Sequence, residues 1–315
     1  MPRAMAHQDW AMLLGLALVF GSAFLFVKLA LASFGPLSVA LGRVALAALL
    51  LAAVVRLRGR RFPREPRDWL ALLMMGALNN AIPFALISWG QTHIDSGLAA
   101  ILNATTPIFT VLAAHAAGQE RLTPRRLAGA GLGFLGVAVL IGAESLRNLD
   151  PTNLAELAVL GAAASYAAAG VWGRRLRHLS IDVAAAGMLG ASTLILLPVA
   201  LLVEHPWRAA PTLSSLVAVA ALAALSSAVA YLLYFRLLTR VGPTNLLLVT
   251  FLLPVVALAL GAVFLGERAE PRDLGGLALI LAGLAAIDGR IFGLLRAISP
   301  AAAGTSGSPP DCRRS

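Results

Sequence analysis

The sequence predicts an all-α integral membrane protein with ten transmembrane helices, arranged as two five-helix halves of opposite orientation. Of its 315 residues, 59% are hydrophobic and only 13% are charged, and its mean hydropathy is +0.84. Soluble globular chains carry about 25% charged residues, so lipid is the expected solvent for most of this chain. The apolar residues fall into ten runs near the roughly 20 residues that a bilayer requires, and one long stretch occurs twice.

The ten runs define the predicted helices and the two halves. They cover about 10–31, 36–56, 68–90, 95–117, 125–143, 154–173, 182–203, 213–235, 243–265 and 271–290. We assign the first five to a first repeat at 1–150 and the next five to a second repeat at 151–296. The small, polar, Pro-rich segment 297–315 is predicted to be a disordered tail.

The repeated stretch runs from Ser96 to Gly142 and recurs, without a gap, 147 residues later. Each copy has an apolar run with a central proline, a short charged turn and a second apolar run with spaced glycines. The matching pairs include Pro107 with Pro254, Glu120-Arg121 with Glu267-Arg268, Gly129 with Gly276, and Gly136 with Gly283. Five helices are an odd number, so the second copy must enter the membrane from the opposite side. Inverted repeats of this kind are typical of secondary transporters, whose substrate site lies between the halves.

The basic residues predict the orientation. One set of alternate loops, together with both termini, holds 19 Lys or Arg residues, whereas the other loops hold four. Because basic loops stay in the cytoplasm, both termini are predicted to be cytoplasmic, in a multi-pass protein of the inner (plasma) membrane. The net charge of +10 does not indicate nucleic-acid binding, since no basic face interleaved with aromatic residues exists.

Several of these features resemble a known family. Phe20-Gly21-Ser22 is followed by Lys28 in the first helix, Arg43 lies in the second, and the Pro107 to Gly136 pattern has its copy. In these features the chain resembles the drug/metabolite transporter (DMT) superfamily, in the branch built from two EamA repeats of five helices. The resemblance covers about residues 10–290 and implies a permease. Members move amino acids, other metabolites and drugs, so the resemblance selects no solute.

Polar residues in the middle of predicted helices are candidate substrate ligands, because polar groups in a bilayer need a partner or a wet cavity. Asn79 and Asn80 lie in the third run, before Pro83. They either offer amides to a substrate or bond to a neighbouring helix. Pro83 frees a backbone carbonyl at that depth and is a predicted hinge.

The fourth and ninth runs supply the second group of candidates. Asn103 and Thr106 precede Pro107, which is predicted to bend the helix and expose them; alternatively, the threonine bonds back to its own helix. In the copy, Pro254 recurs as a predicted hinge, but Thr250 is the polar residue that remains.

Tyr166 and Arg43 complete the candidate substrate-binding set. The Tyr166 hydroxyl lies well inside its predicted helix and needs a partner. Arg43 lies about 10 Å into its helix, where it either attracts a substrate carboxylate or ties the second helix to its neighbours. The Glu120-Arg121 and Glu267-Arg268 pairs are interpreted as structural turns with local ion pairs.

Several absences exclude other classes of function. The sequence has no Walker loop, no metal-ligand spacing and no nucleophile–base grouping, which predicts a protein that is not an enzyme and has no cofactor or metal. No Asp or Glu lies at mid-helix, so facilitated transport or exchange is favoured over proton coupling.

The predicted function is transport of small amphipathic solutes by alternating access, with amino acids or related metabolites as the first expectation. The alternatives are efflux of lipophilic drugs or, in a different class, a membrane-bound binding protein or enzyme. The expected partners are a small-molecule substrate and the lipid bilayer, with no nucleic acid. A monomer is expected, although a dimer is an alternative.

Overall fold

The computed structural model describes residues 7–119, 121–141, 151–246 and 248–288, and these contain helices and connecting turns but no β-strand. The α-helices of this part of the chain are α1 (His7–Leu31), α2 (Pro36–Leu57), α3 (Pro66–Gly76), α4 (Ile82–Gly90), α5 (Ser96–Asn103), α6 (Thr106–Ala116), α7 (Pro124–Ile141), α8 (Pro151–Trp172), α9 (Ile181–Val203), α10 (Leu213–Ala223), α11 (Ala230–Leu246), α12 (Leu248–Leu260) and α13 (Pro271–Asp288). The predicted all-α class is confirmed.

These helices form ten spans, since three pairs run on through a short irregular turn. A π-helical turn joins α3 to α4 at Ala77–Ala81, another joins α10 to α11 at Ala224–Val229, and a turn at Ala104 and Thr105, just before Pro107, joins α5 to α6. Eight spans in the described residues are long and apolar enough to cross a membrane. The other two, α7 and α13, are 18 residues long and begin with charged residues. We call the membrane face at which α1 begins the proximal face and the other the distal face.

One predicted loop is helical. The sequence places the eighth run at 213–235 and a basic loop after it, whereas α11 continues from Ala230 to Leu246. The prediction missed this extension because Arg236 and Arg240 interrupt the apolar pattern. Arg240 nevertheless has a partner, since its Nε donates to Asp9 Oδ1 over 2.8 Å, and Leu237 packs against α1.

Helix packing follows the repeat. Each span has a counterpart five spans away along the chain. When every span is replaced by its counterpart, the contact of α1 with α12 becomes that of α8 with α6. The same exchange turns α1 with α11 into α8 with α4, and α3 with α9 into α10 with α2. The remaining extensive contacts, α2 with α9 and α7 with α13, pair a span with its own copy. The described helices are therefore related by an approximate two-fold axis between the halves.

Glycines allow the closest of these contacts, between α7 and α13. A Cβ on Gly129 would lie 2.6 Å from the carbonyl oxygen of Gly283, and one on Gly136 would lie 2.8 Å from that of Gly276. Gly129 is the copy of Gly276, and Gly136 is the copy of Gly283, so the two contacts are the same contact made twice. Small residues at such crossings let two backbones approach within a membrane.

Candidate functional site

Of the three π-helical turns in the described residues, the two that interrupt the third and eighth spans lie at equivalent positions of the two halves, and the third, Gly261–Leu265, follows α12. Adding 147 to Ala77–Ala81 gives residues within Ala224–Val229, so Ser226 and Ser227 occupy the positions of Asn79 and Asn80. Pro83 follows the first turn. In a regular α-helix its ring would clash with the carbonyl of the residue four positions earlier. The second turn is followed by alanine, so a proline is not required for the π geometry, and the two turns are a property of the repeat.

The first π turn carries an amide network that joins the two halves. Asn79 Nδ2 donates to the Tyr231 hydroxyl over 2.9 Å, and this hydroxyl donates to Asn80 Oδ1 over 3.0 Å. Asn80 Nδ2 donates to Ser192 Oγ over 3.2 Å, and Ser192 in turn bonds to the carbonyl of Gly76 over 3.0 Å. Asn80 is fully buried, whereas Asn79 is half-buried. Asn79 therefore remains partly accessible in the interior, whereas Asn80 is held by hydrogen bonds to Tyr231 and Ser192.

Arg43 contacts the second π turn. Its Nε donates to Ser227 Oγ over 3.0 Å, its Nη2 donates to the carbonyl of Ser226 over 3.2 Å, and its guanidinium lies 3.8 Å above the Phe84 ring. Only 9% of Arg43 is exposed. Neutral dipoles and an aromatic face thus surround the buried cation. This arrangement favours the alternative in which Arg43 ties α2 to its neighbours.

The fourth span is interrupted where Pro107 predicts it. α5 ends at Asn103 and α6 begins at Thr106, whose hydroxyl donates to the Asn103 carbonyl over 2.7 Å. The threonine therefore bonds back to its own helix. Among the described residues, Asn103 Oδ1 is buried without a hydrogen-bond partner. A buried acceptor without a partner costs about 1–3 kcal/mol, so this oxygen marks a place where a ligand group or water is expected.

The ninth span differs from the fourth at its proline. Pro254 lies inside α12, which continues without interruption from Leu248 to Leu260. In the first half the helix is therefore interrupted next to its proline. In the second half α12 stays continuous through Pro254. The hinge roles of Pro83, Pro107 and Pro254 stay predictions.

The remaining candidates lie on two other spans. Tyr166 of α8 is half-buried and packs against two core clusters, one containing Ile101 and Ile108 and the other containing Phe84. Thr250 is half-buried on α12, which packs against α1 and α5. The structure thus brings Asn79, Asn80 and Arg43 to the π turns, and the other candidates lie on α5, α6, α8 and α12.

Sequence reasoning left Tyr231 and Ser192 out of the candidate set. A signal for Tyr231 was available, because it lies 147 residues after Phe84 and both rings follow a π turn by the same distance. Each ring contacts a polar residue of the interior: Phe84 stacks on Arg43, and Tyr231 bonds to Asn79. Ser192 lacks such a signal, since a serine in an apolar helix commonly bonds to its own backbone.

Two surface cavities lie away from these residues. One of about 360 Å³ is lined by Arg67, Asp68, Ala71, Arg175 and His178, and one of about 640 Å³ by Trp69, Leu70, Leu73, Gly190, Ala191 and Leu194. The first lies at the proximal end of α3, and the second is an apolar groove between α3 and α9. Neither is lined by a candidate substrate ligand.

The carboxylates that form ion pairs in the described chain lie near helix ends. Asp182, at the start of α9, pairs with Arg58 and Arg60 over 3.5 Å and 2.5 Å. At the distal face, Glu267 does not form the simple local turn expected from the sequence. Its Oε1 accepts from the Ser96 amide over 2.9 Å, and its Oε2 accepts from the Ser96 hydroxyl over 2.7 Å. Glu120, its copy, lies outside the described residues.

Comparison with known proteins places this architecture. The model of the EamA-like transporter family matches residues 10–142 and 153–287, once for each half. A probable terminal-alkyne amino-acid exporter of Streptantibioticus cattleyicolor is 29% identical over 292 residues, which are 92% of this chain and 96% of that protein. A crystal structure 21% identical to this chain superposes with a TM-score of 0.65 and covers 93% of this chain and 99% of that one, which supports the fold alone.

Two further relatives are similar over most of their lengths. The uncharacterized inner membrane transporter YedA of Escherichia coli strain K12 is 28% identical over 85% of this chain and 87% of its own. A probable amino-acid metabolite efflux pump of Salmonella typhimurium is 29% identical over 89% and 94%. With two matched repeats and membrane-length helices, this chain is a multi-pass membrane transporter, not an enzyme, and it belongs to the EamA-like transporter family.

Proposed function

We propose that this chain exports amino acids or closely related amphipathic metabolites by alternating access between its two halves. The observation that carries the proposal is the pair of side-chain amides at the interior. Asn79 is half-buried, and Asn103 presents a buried carbonyl oxygen that has no hydrogen-bond partner among the described residues. Such groups bind the ammonium or amide hydrogens of a small polar solute.

The charges around the site support a solute of zero net charge. Arg43 is held by Ser226 and Ser227, so it is not poised to compensate an anionic substrate. The carboxylates of the described chain lie near helix ends, so they do not compensate a cationic one. A zwitterion can satisfy both of its charges with amides, hydroxyls and water, and the half-buried Tyr166 and Tyr231 offer ring surface to an apolar side chain.

The relatives point the same way, since two of them carry names that refer to export or efflux of amino-acid compounds. The sequence assigns 19 basic residues to the termini and to the loops on the side where α1 begins, which favours a cytoplasmic position for that side. The pathway then runs along the seam between the halves of one chain, from the cytoplasm to the distal face. The absence of a mid-helix acid among the described residues favours facilitated export or exchange.

The test is transport by proteoliposomes against a panel of labelled neutral amino acids and related metabolites. Asn79→Ala and Asn103→Ala each remove one neutral hydrogen bond, which is worth about 0.5–1.5 kcal/mol. The KM for the transported solute should therefore rise about 2- to 10-fold. Thr193→Ala is the matched control, because the Thr193 hydroxyl bonds to the carbonyl of Leu189 in its own helix.

The outcome separates the competing functions. Efflux of lipophilic cations without any amino-acid flux would favour the drug-efflux alternative. Unchanged KM values in both asparagine variants would show that the substrate binds elsewhere. A flux driven by a pH gradient alone would contradict the facilitated mechanism.

A further inference from the structure

Two glutamates at the distal face make nearly identical contacts across the halves. Glu204, which follows α9, accepts from the amides of Leu37 and Ser38 over 2.8 Å each and from the Ser38 hydroxyl over 2.7 Å. Glu267, which follows α12, accepts from the amide and hydroxyl of Ser96 and from the Gly97 amide over 3.2 Å. Each carboxylate caps the first turn of a helix from the other half, where free amides and the helix dipole favour a negative charge.

The helix pairs that these glutamates join differ at the proximal face. α2 and α9 are also held there, because Arg58 and Arg60 at the end of α2 pair with Asp182 at the start of α9. This pair is therefore fastened at both faces. By contrast, α12 packs against α5, the distal part of the fourth span, whereas the proximal part, α6, packs against α7, α8 and α13. The fourth and ninth spans are thus fastened at the distal face and separate towards the proximal one.

A second contact closes the distal face beside Glu267. Lys28 Nζ donates to the carbonyls of Gln91 and Ile94 over 2.9 Å and 2.8 Å, which ties α1 to the turn that leads into α5. Gln91 is 1% exposed, and neither its Oε1 nor its Nε2 has a hydrogen-bond partner among the described residues. An amide buried without partners carries a desolvation cost. Glu267 and Lys28 thus hold the distal face closed, with this unpaired amide buried beside the Lys28 contact.

We infer that the Glu267 cap on α5 is the distal gate of the transport pathway, and that the Glu204 cap on α2 is a permanent clamp. Release of solute at the distal face then requires the Glu267 carboxylate to leave Ser96 and Gly97 while α2 and α9 stay paired. This inference rests on the proposed alternating-access function. It goes further by naming the contact that breaks and the matched contact that does not.

The test is a pair of distance measurements in lipid nanodiscs by double electron–electron resonance. The background is Cys312→Ser, which removes the one cysteine of the chain. Spin labels at the exposed Thr92 and Arg268 report on the gate, and labels at the exposed Ala32 and Arg208 report on the clamp. Glu267→Gln keeps the size of the side chain but removes its charge and places a donor opposite the amides of α5. It should raise the ratio of long to short gate distances about 10-fold, as expected for loss of a charge-assisted contact.

The variants make the result decisive. Glu204→Gln should leave the gate distances unchanged. Ser96→Ala loses one hydroxyl bond and keeps the backbone contacts, so it should shift the gate ratio in the same direction by about 3-fold. Equal shifts for the Glu204 and Glu267 variants, or no gate shift in both Glu267→Gln and Ser96→Ala, would overturn the inference.

Because these distances are measured without solute, a wrong substrate class leaves this test intact. If distance distributions respond as expected and no amino acid is transported, the gate stands and the proposed substrate fails. If amino acids are transported and the gate distances do not respond, the substrate class stands and the gate fails.

Discussion

The π turns of the third and eighth spans share one backbone geometry, but their side chains have different roles. In the second half, Ser226 donates to the carbonyl of Val19 over 3.0 Å and Ser227 accepts from Arg43, and both serines are 1% exposed. In the first half, Asn80 has the same buried position as Ser227, but Asn79 remains half-buried. The second turn is thus an anchor, whereas the first also presents a polar group to the interior. The two halves share the backbone geometry of the turn, and their side chains differ in role.

The fourth and ninth spans diverge in the same way. α5 ends at Asn103 and α6 begins at Thr106, and the side-chain oxygen of Asn103 has no hydrogen-bond partner in the described part of the chain, whereas Pro254 lies inside a continuous helix. The first half therefore carries both the interrupted helix and the polar groups. This comparison supports a symmetric scaffold that holds an asymmetric site. Substitutions at symmetric and at asymmetric positions should therefore have different effects.

The largest effect is expected where the halves are most alike, at the contact of α7 with α13. Gly136→Val and its copy Gly283→Val place a branched side chain where a Cβ alone would lie 2.8 Å from the carbonyl of Gly276 and 2.5 Å from that of Gly129. Each should cost at least about 1–3 kcal/mol, because overpacking forces the helices apart. Thermal unfolding in detergent, followed by size-exclusion chromatography, measures the loss.

The control for this pair is Gly131→Val, since a Cβ at Gly131 would meet no atom of the described residues within 4 Å. Symmetry adds a stricter condition, which is that the two damaging variants lower the unfolding temperature by similar amounts. A loss in one half alone would show that the approximate two-fold axis does not extend to the energetics of this contact.

A smaller effect on stability is expected to distinguish the second π turn, which anchors Arg43, from the first, which carries Asn79. Ser227→Ala removes a hydrogen bond to the buried Arg43 guanidinium and should lower the free energy of unfolding by about 1.5–3 kcal/mol, as is usual for bonds to charged groups. Asn79→Ala should change stability less and act mainly on KM. Denaturant titration of both variants measures the difference.

A double-mutant cycle identifies the cause. In an Arg43→Met background the buried cation is gone, so Ser227→Ala should cost much less than in the parent protein. Equal costs in the two backgrounds would mean that Ser227 contributes packing and does not stabilise Arg43.

These contrasts also show what sequence could predict. The ten spans and the inverted repeat follow from hydropathy and from an offset of 147 that keeps Pro107, Glu120 and the glycines in register. Asn79, Asn80 and Asn103 could be predicted as candidates, because amide side chains within an apolar run are costly in lipid and can be recognised from the sequence alone. The position of Tyr231 could have been found from its offset of 147 residues from Phe84. The contacts of Ser192 and Glu267 were not predictable, since these residues meet their targets through the packing of distant spans. The helical extension of α11 was missed for the same reason, as Asp9 compensates Arg240 from the other end of the chain.

The smallest effect concerns the titration of the distal face, where one half again differs from the other. Partial burial and the nearby Glu267 carboxylate raise the pKa of Asp95, which lies directly before α5. In the pH window between the ordinary and the raised value, the folded protein holds a proton that the unfolded chain has lost, so stability falls as pH rises through this window. Asp95→Asn cannot titrate, and it should flatten this part of the pH profile of the unfolding temperature and raise stability slightly at neutral pH.

The matched comparison is again Glu267→Gln, which removes the repelling carboxylate and should lower the pKa of Asp95 towards its ordinary value. Both variants should therefore flatten the profile, but only Glu267→Gln should open the gate, because the cap on α5 is lost there and kept in Asp95→Asn. A profile that Asp95→Asn leaves as steep as in the parent would assign the pH dependence to other groups. Gate opening in Asp95→Asn would mean that the start of α5 is held by its own N-terminal residue and not by the opposite half.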